Sequence, residues 1–222
     1  MAVRWVFFDM NGTLLDPSGI AEPFGGSEQD KRLVEEALDE AILLAMADTL
    51  SGDYRPLAEH LAGTLERRVR VAGRDPAPLG KALDRAKAMD PFPEVERALD
   101  VLSEAGINAG VLTNTAKDAA EQSLEQAGLR TRLGAVIGTD AVGAFKPHSR
   151  VYRHAIETVG ARAEEACLVA AHGWDVMGAM RAGLRAAWVS RKEGWLVPTV
   201  PRPDVVADDL EQATRAIASK LG

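Results

Sequence analysis

Apolar positions recur with two different periods along this chain. From residue 93 onward, short apolar runs alternate with amphipathic segments, most of which end at a glycine. This pattern predicts strands at 107–112, 135–137, 168–169 and 186–189 and helices at 93–105, 116–127, 150–159, 174–182 and 210–221. A regular alternation of helix and short strand is typical of a Rossmann-like, doubly wound α/β sheet with parallel strands.

The stretch between residues 15 and 89 has a helical pattern only. Its first apolar residues follow helical spacing behind Ser27, which stands where an N-cap is expected. A second helix fits residues 56–71, and a third is predicted to begin at Pro76 with Asp75 as its cap. We therefore predict a helical cap inserted after the first strand. Its predicted range is 16–90, and the core is then formed by 1–15 and 91–222.

Composition limits the classes of partner. The 222 residues carry a net charge of -7, which disfavours a nucleic-acid partner. No apolar run approaches the roughly 20 residues of a membrane span, and the first residues lack a cleavage signal. We therefore expect no membrane partner and a cytoplasmic location. The single cysteine, Cys167, lies in an apolar run, which predicts a buried thiol and no multi-cysteine metal site.

Chemically active side chains stand just after the predicted strands. Taken alone, an Asp before a Gly turn is typical of turn chemistry. Ligands of parallel sheets, however, bind outside the carboxyl ends of the strands, so these side chains are expected to converge. A carboxylate, a lysine, hydroxyls, amides and a second acid together favour an anion-binding site. The set is Asp9, Asn11, Thr13, Thr113, Asn114, Lys146, His172 and Asp175.

Four segments in this order, with a helical insert after the first, resemble the haloacid dehalogenase superfamily. The resemblance covers nearly the whole chain and looks most like the (S)-2-haloacid dehalogenase branch. The segments are Val6 to Leu14, Leu112-Thr113-Asn114, Phe145-Lys146-Pro147 with Val151-Tyr152, and Ala170 to Asp175.

Two positions differ from the phosphatases of that superfamily. Phosphatases carry a second Asp two residues after the nucleophile, where this chain has Asn11. They also carry an acidic pair in the fourth motif that holds magnesium, and here Asp175 has Ala171 as its partner position. A halide leaves without a proton or a metal. The resemblance therefore implies a metal-independent hydrolase with no cofactor.

The resemblance also implies a mechanism on a small 2-haloalkanoic acid. Asp9 attacks the halogen-bearing carbon, and water then hydrolyses the ester to a 2-hydroxy acid. Lys146 keeps Asp9 ionised, Thr13 fixes its carboxylate, and Asp175 activates the water. His172, which stands where an Asn is common, is either a further base or a structural hydrogen-bonding residue.

Substrate binding is expected from a second group of residues. The backbone N–H groups of Met10 and Asn11, with Thr113, would hold the substrate carboxylate. Asn114 would orient the substrate or the departing halide. Tyr152, on a helix among apolar neighbours, is either a pocket residue or part of the core.

Several alternatives remain open at this stage. Related dehalogenases place an Arg on the first cap helix, but residues 38–46 contain none, and Arg32, Arg55 and His60 are candidate substitutes. The leaving group could be a phosphate or a ring amine, or the chain could bind a carboxylate without turnover. The apolar stretch from Leu33 to Leu50 either forms a homodimer interface or packs within the cap.

Overall fold

The computed structural model describes residues 2–222, and in this part of the chain an α/β core carries a helical insert. Its strands are β1 (Trp5–Phe8), β2 (Leu15–Asp16), β3 (Asp90–Pro91), β4 (Asn108–Thr113), β5 (Ala135–Gly138), β6 (Ala166–Ala170), β7 (Arg185–Val189) and β8 (Val205–Ala207). Its α-helices are α1 (Glu28–Ser51), α2 (Leu57–Val71), α3 (Leu79–Lys87), α4 (Val95–Glu104), α5 (Lys117–Gln126), α6 (Ser149–Thr158), α7 (Gly173–Arg181) and α8 (Leu210–Lys220).

Six strands form one parallel sheet in the order β5-β4-β1-β6-β7-β8. The central strand β1 is apolar along its length because both of its faces are covered. Val6 and Phe8 pack on one face with α4, α5 and α8, whereas Phe7 packs on the other with α6 and α7. This alternation follows from the two-residue period of a strand. The predicted doubly wound fold is confirmed.

The helical insert leaves and re-enters the core at neighbouring points. Strands β2 and β3 pair antiparallel, with Leu15 opposite Pro91 and Asp16 opposite Asp90. Between them run α1, α2 and α3. Ser27 caps α1 as predicted, in a capping box with Asp30. The boundaries proposed above, at 15/16 and 90/91, stay a prediction.

The sequence pattern was wrong at three places. The third helix of the insert begins at Leu79, not at Pro76. Asp75 accepts a hydrogen bond from the backbone of Ala77 within a turn, which uses the same side-chain chemistry as a helix cap. The short strands β2 and β3, at the two ends of the insert, were not predicted, and neither was β8. These strands have only two or three residues, too few to show a period.

Aromatic packing joins the insert to the core beside the core residue Phe145. Its ring stacks on that of Tyr54, with 4.6 Å between centroids, and contacts the edge of His60 at 6.4 Å. The backbone N–H of Phe145 donates to Thr49 Oγ1 at 2.9 Å. The end of α1 and the loop after it therefore rest on the segment that precedes Lys146.

We expect Phe145→Ala to lower the free energy of unfolding by about 3–5 kcal/mol, since a buried aromatic ring leaves a cavity that its neighbours fill only partly. Urea unfolding measures the change. Trp195→Ala is the matched control, because that ring is 79% exposed and its removal is expected to change stability by no more than about 0.5 kcal/mol. Equal effects of the two substitutions would contradict the packing described.

Two surface features bear on the partners expected above. Among residues 2–222, none of the helices has both the length and the apolar character needed to cross a lipid bilayer. On α1, Leu43 and Leu50 are 64% and 88% exposed. A homodimer through this helix stays a prediction.

Candidate functional site

A cleft of about 1110 Å³ lies between the carboxyl edge of the sheet and the helical insert. Much of its wall is apolar, including Leu38, Ala41, Ile42, Leu57, Leu61, Leu83 and Phe92. Residues that follow the strands also line it, among them Asp9, Asn11, Thr113, Asn114 and His172. The residues predicted from different segments therefore converge at one edge of the sheet, where parallel strands bring their carboxyl ends together.

Asp9 is held by three side chains and is only 6% exposed. Thr13 Oγ1 donates to Asp9 Oδ2 at 2.9 Å, and Lys146 Nζ donates to Asp9 Oδ1 at 2.8 Å. His172 Nδ1 lies 3.1 Å from the same Oδ2. Thr13 also accepts a hydrogen bond from the backbone of Ala171, which ties the turn after β1 to the turn after β6. The carboxylate is thus fixed in one orientation at the cleft.

Lys146 is wholly buried, and its ammonium has three acceptors. Besides Asp9, Nζ donates to Asp175 Oδ2 at 2.6 Å and to the carbonyl oxygen of Leu112 at 2.9 Å. An ammonium has three N–H donors, so none is left unpaired. Two carboxylates share this one cation, and removal of the lysine would leave both uncompensated.

The pKa values of the two carboxylates that share Lys146 are shifted in opposite directions. Burial alone would raise the pKa of Asp9, but the charge of Lys146 and the hydrogen bond from His172 outweigh it, so this pKa lies well below 3.8. Burial raises the pKa of Asp175, and the charge of Asp9 adds to this rise although Lys146 opposes it. Burial lowers the pKa of Lys146, but the charges of Asp175 and Asp9 raise it overall. Asp9 is therefore the ionised carboxylate at the cleft.

Tyr152 does not reach the cleft, so of the two roles left open for it, substrate-binding pocket residue or part of the core, the structure favours the core. It is fully buried, and its hydroxyl donates to Asp175 Oδ1 at 2.6 Å. This bond requires α6 to pack closely on α7, which is possible because residue 178 is a glycine. A Cβ at that position would stand 2.5 Å from the Tyr152 oxygen. The sequence could not show this, since it depends on how the two helices pack. Tyr152 positions Asp175 instead.

Asp175 is enclosed rather than presented to the cleft. Its side chain is wholly buried, and its two oxygens accept from Lys146 and Tyr152. It is not among the cleft-lining residues. The predicted role of Asp175 in activating water therefore has no direct route to the cleft in this arrangement.

Free hydrogen-bonding groups surround Asp9. No described residue accepts from the backbone N–H groups of Met10 or Asn11. Thr113 lines the cleft, and its Oγ1 accepts from the backbone of Thr115. Asn114 Oδ1 accepts from the backbone of Lys146, which leaves Asn114 Nδ2 buried without a partner. Unpaired buried donors at the wall of a cleft are groups that a bound anion would satisfy.

Metal ligands are scarce at this site. Nowhere in residues 2–222 do three His, Cys, Asp or Glu side chains come close enough to hold a metal ion. Asp9 and Asp175 both face the Lys146 ammonium, and residue 11 supplies an amide. A carboxylate set that already holds a buried ammonium does not fit magnesium, which prefers oxygen ligands in octahedral array.

The candidate substitutes for a cap arginine are placed differently. Arg32 lines the cleft and pairs with Glu36 at 3.4 Å. Arg55 and His60 instead pair with Asp48 and do not line it.

Two cleft cations near the end of β7, Arg191 and Lys192, were missed. Arg191 pairs with Glu94, and Lys192 joins Asp39 of α1 at 2.7 Å. Both residues follow β7 closely, so the rule that selected the other strand ends would have found them.

The family model and the similar proteins of known function agree on one family. A family model described as haloacid dehalogenase-like hydrolase matches residues 3–183. The chain is 27% identical over 198 residues to a haloacetate dehalogenase of Moraxella, covering 85% of this chain and 86% of that protein. It is 29% identical over 200 residues to an (S)-2-haloacid dehalogenase of Xanthobacter autotrophicus, covering 85% and 76%.

Two further proteins are similar to this chain. A phosphoserine phosphatase of Thermus thermophilus is 32% identical over 169 residues, covering 74% of this chain and 64% of that protein. The structure of L-2-haloacid dehalogenase from Xanthobacter autotrophicus superposes with a TM-score of 0.85 at 23% identity, covering 98% and 99% of the two chains, and shows the same fold. From the family model and these relatives, this chain belongs to the haloacid dehalogenase-like hydrolase family.

Proposed function

We propose that this hydrolase removes the halide from a small 2-haloalkanoic acid, without a metal, through an ester on Asp9. The observation that carries the proposal is the environment of Asp9: one ionised carboxylate, neutralised by a buried lysine, with an amide at position 11 where a phosphatase needs an acid. The names of the relatives from Moraxella and Xanthobacter support the same chemistry.

Each neighbouring group has a role in the first step. Lys146 keeps Asp9 ionised, and Thr13 holds the carboxylate in line for attack on the carbon that bears the halogen. The free backbone N–H groups of Met10 and Asn11, with the Thr113 hydroxyl, bind the substrate carboxylate. Asn114 Nδ2 is the unpaired donor available to the departing halide.

The second step regenerates the enzyme. Water attacks the ester carbonyl of Asp9, and the 2-hydroxy acid leaves with the oxygen that came from Asp9. Configuration at C2 is inverted once, in the displacement. The insert covers the cleft, which limits the access of bulk water to the ester.

The first experiment is chloride release from each enantiomer of 2-chloropropanoate in buffer containing a chelator. Because a fixed nucleophile and a fixed carboxylate site admit attack on one face only, we expect release from one enantiomer. The rate should be unchanged by the chelator and by added magnesium. Release that requires magnesium, or no release from either enantiomer, would contradict the proposal.

One observation favours a second candidate, a phosphatase acting on a small phosphate ester. The relative from Thermus thermophilus, a phosphoserine phosphatase, has the highest identity of the relatives described above. Against this candidate stand Asn11 and the absence of a fitting metal-ligand set in residues 2–222. Phosphate release from phosphoserine in magnesium buffer distinguishes the two, and we expect none. A carboxylate that binds tightly without forming an adduct on Asp9 would instead indicate a protein without turnover.

A further inference from the structure

His172 has an unusual position for a residue next to the nucleophile. Its Nδ1 is 3.1 Å from Asp9 Oδ2, while its ring lies 5.4 Å from the Trp174 ring, centre to centre. On another side, the ring approaches Gly12 so closely that a Cβ there would stand 3.2 Å from His172 Cε1. Gly12 also has a φ of +79°, which side chains rarely adopt. The imidazole is therefore held against the carboxyl group that reacts.

Access to the cleft distinguishes His172 from Asp175. The His172 side chain is 12% exposed and lines the cleft, so water can reach it. Asp175 is wholly buried, and both of its oxygens already accept hydrogen bonds. A general base must lie within hydrogen-bond reach of the water it activates. Of the two, only His172 is open to water from the cleft.

We propose that His172 is the general base that activates water for hydrolysis of the Asp9 ester, and that Asp175 serves to hold Lys146. This inference rests on the proposed function. Before reaction, His172 donates its Nδ1 hydrogen to the ionised Asp9. Ester formation removes that negative charge, so the imidazole then carries its hydrogen on Nε2 and directs the Nδ1 lone pair at the ester.

Hydrolysis of the ester proceeds through a tetrahedral intermediate at Asp9 Cγ. The water oxygen bonds to Asp9 Cγ while one water proton passes to His172 Nδ1, and the carbonyl electron pair moves onto the oxygen next to Lys146. The intermediate then collapses as the bond from Cγ to the substrate oxygen breaks. The proton on His172 goes to that oxygen, which gives the 2-hydroxy acid. Asp9 loses the remaining proton to solvent and becomes a carboxylate again.

The test separates ester formation from ester hydrolysis. With His172→Gln and His172→Ala, we expect one equivalent of chloride to be released in a burst, followed by turnover reduced roughly 10²–10⁴-fold. Intact mass measurement should show the protein carrying one propanoate unit, and peptide mass measurement should place it on Asp9. Gln can donate to Asp9 but cannot act as a base, so it should not restore turnover. Added imidazole should speed the loss of the adduct in His172→Ala.

Two controls accompany this test, the ratio of turnover to burst and the variant His154→Asn. The burst counts active molecules, so the ratio of turnover to burst is unaffected by a variant that folds in lower yield. His154→Asn is the control, since this histidine lies on α6 and does not line the cleft, and we expect wild-type turnover.

Wild-type turnover in both His172 variants without an adduct would overturn the inference. Restored turnover in His172→Gln would do so as well, because a donor alone would then suffice. Loss of the burst itself would place His172 in the first step and also contradict it. If the wild-type protein releases no halide at all, the proposed function fails, and the role of His172 fails with it.

Discussion

Asp9→Asn will abolish halide release from the preferred 2-chloropropanoate enantiomer while leaving the protein folded. An amide is close in size to a carboxylate but cannot displace a halide, and loss of a covalent nucleophile costs roughly 10⁵–10⁶-fold in kcat. Halide release under steady-state conditions measures this. We expect no burst in the variant, which distinguishes it from the His172 variants.

The stability of Asp9→Asn should change much less than its activity. The buried group contains two carboxylates and one ammonium, so Asp9→Asn leaves one of each. Because the lowered pKa of Asp9 stabilises the folded protein at neutral pH, we expect a lower free energy of unfolding, but a smaller loss than in Lys146→Met, where two carboxylates lose their cation. Asp84→Asn, at an exposed position on α3, is the matched control and should keep full activity. Wild-type halide release from Asp9→Asn would show that Asp9 is not the nucleophile.

Isotope labelling adds a direct check on the role of Asp9. In one turnover in H₂¹⁸O with excess enzyme, the label should enter the Asp9 carboxylate and not the 2-hydroxy acid. Peptide mass measurement locates it. Label found in the first molecule of product instead would indicate direct attack of water on the substrate.

Lys146→Met will destabilise the protein by about 3–5 kcal/mol at neutral pH, because removal of one partner from a buried ion pair leaves uncompensated charge. Here two carboxylates lose their common cation. Urea unfolding measures the loss. Lys192→Met is the matched control, since its pair with Asp39 is partly exposed and is expected to contribute no more than about 1 kcal/mol.

The Lys146 variant should also invert the effect of pH. In the wild-type protein the lowered pKa of Asp9 contributes stability that is present at neutral pH and is lost as the pH falls through the acid range. Without the lysine, burial raises the pKa of Asp9 and of Asp175 above their unfolded values. The variant should then gain stability as the pH falls from 7 toward 5. Adding Asp175→Asn should recover part of the loss at pH 7, and no recovery would contradict the shared-cation arrangement.

Apolar periodicity was enough to predict most of the core. The alternation after residue 93 gave the parallel sheet, because a fully covered strand needs an apolar run and each crossover helix needs one apolar face. The same pattern located α1 behind Ser27, which the structure shows in a capping box with Asp30. It failed for β2, β3 and β8, whose pairing depends on neighbouring strands rather than on their own residues.

The sequence by itself determined which chemical groups stand at the strand ends, because topology brings parallel strand ends to one edge. It therefore supplied Asp9, Thr13, Lys146 and His172 as neighbours, together with Asn11 in place of a second acid. Only the tertiary structure decided which groups face the cleft. Close packing of α6 on α7 at Gly178 directs Tyr152 to Asp175 and encloses both, whereas the turn at Gly12 leaves His172 open to water. These differences in burial arise from packing between segments that are far apart in the sequence. The spacing of residues along the chain therefore does not reveal them.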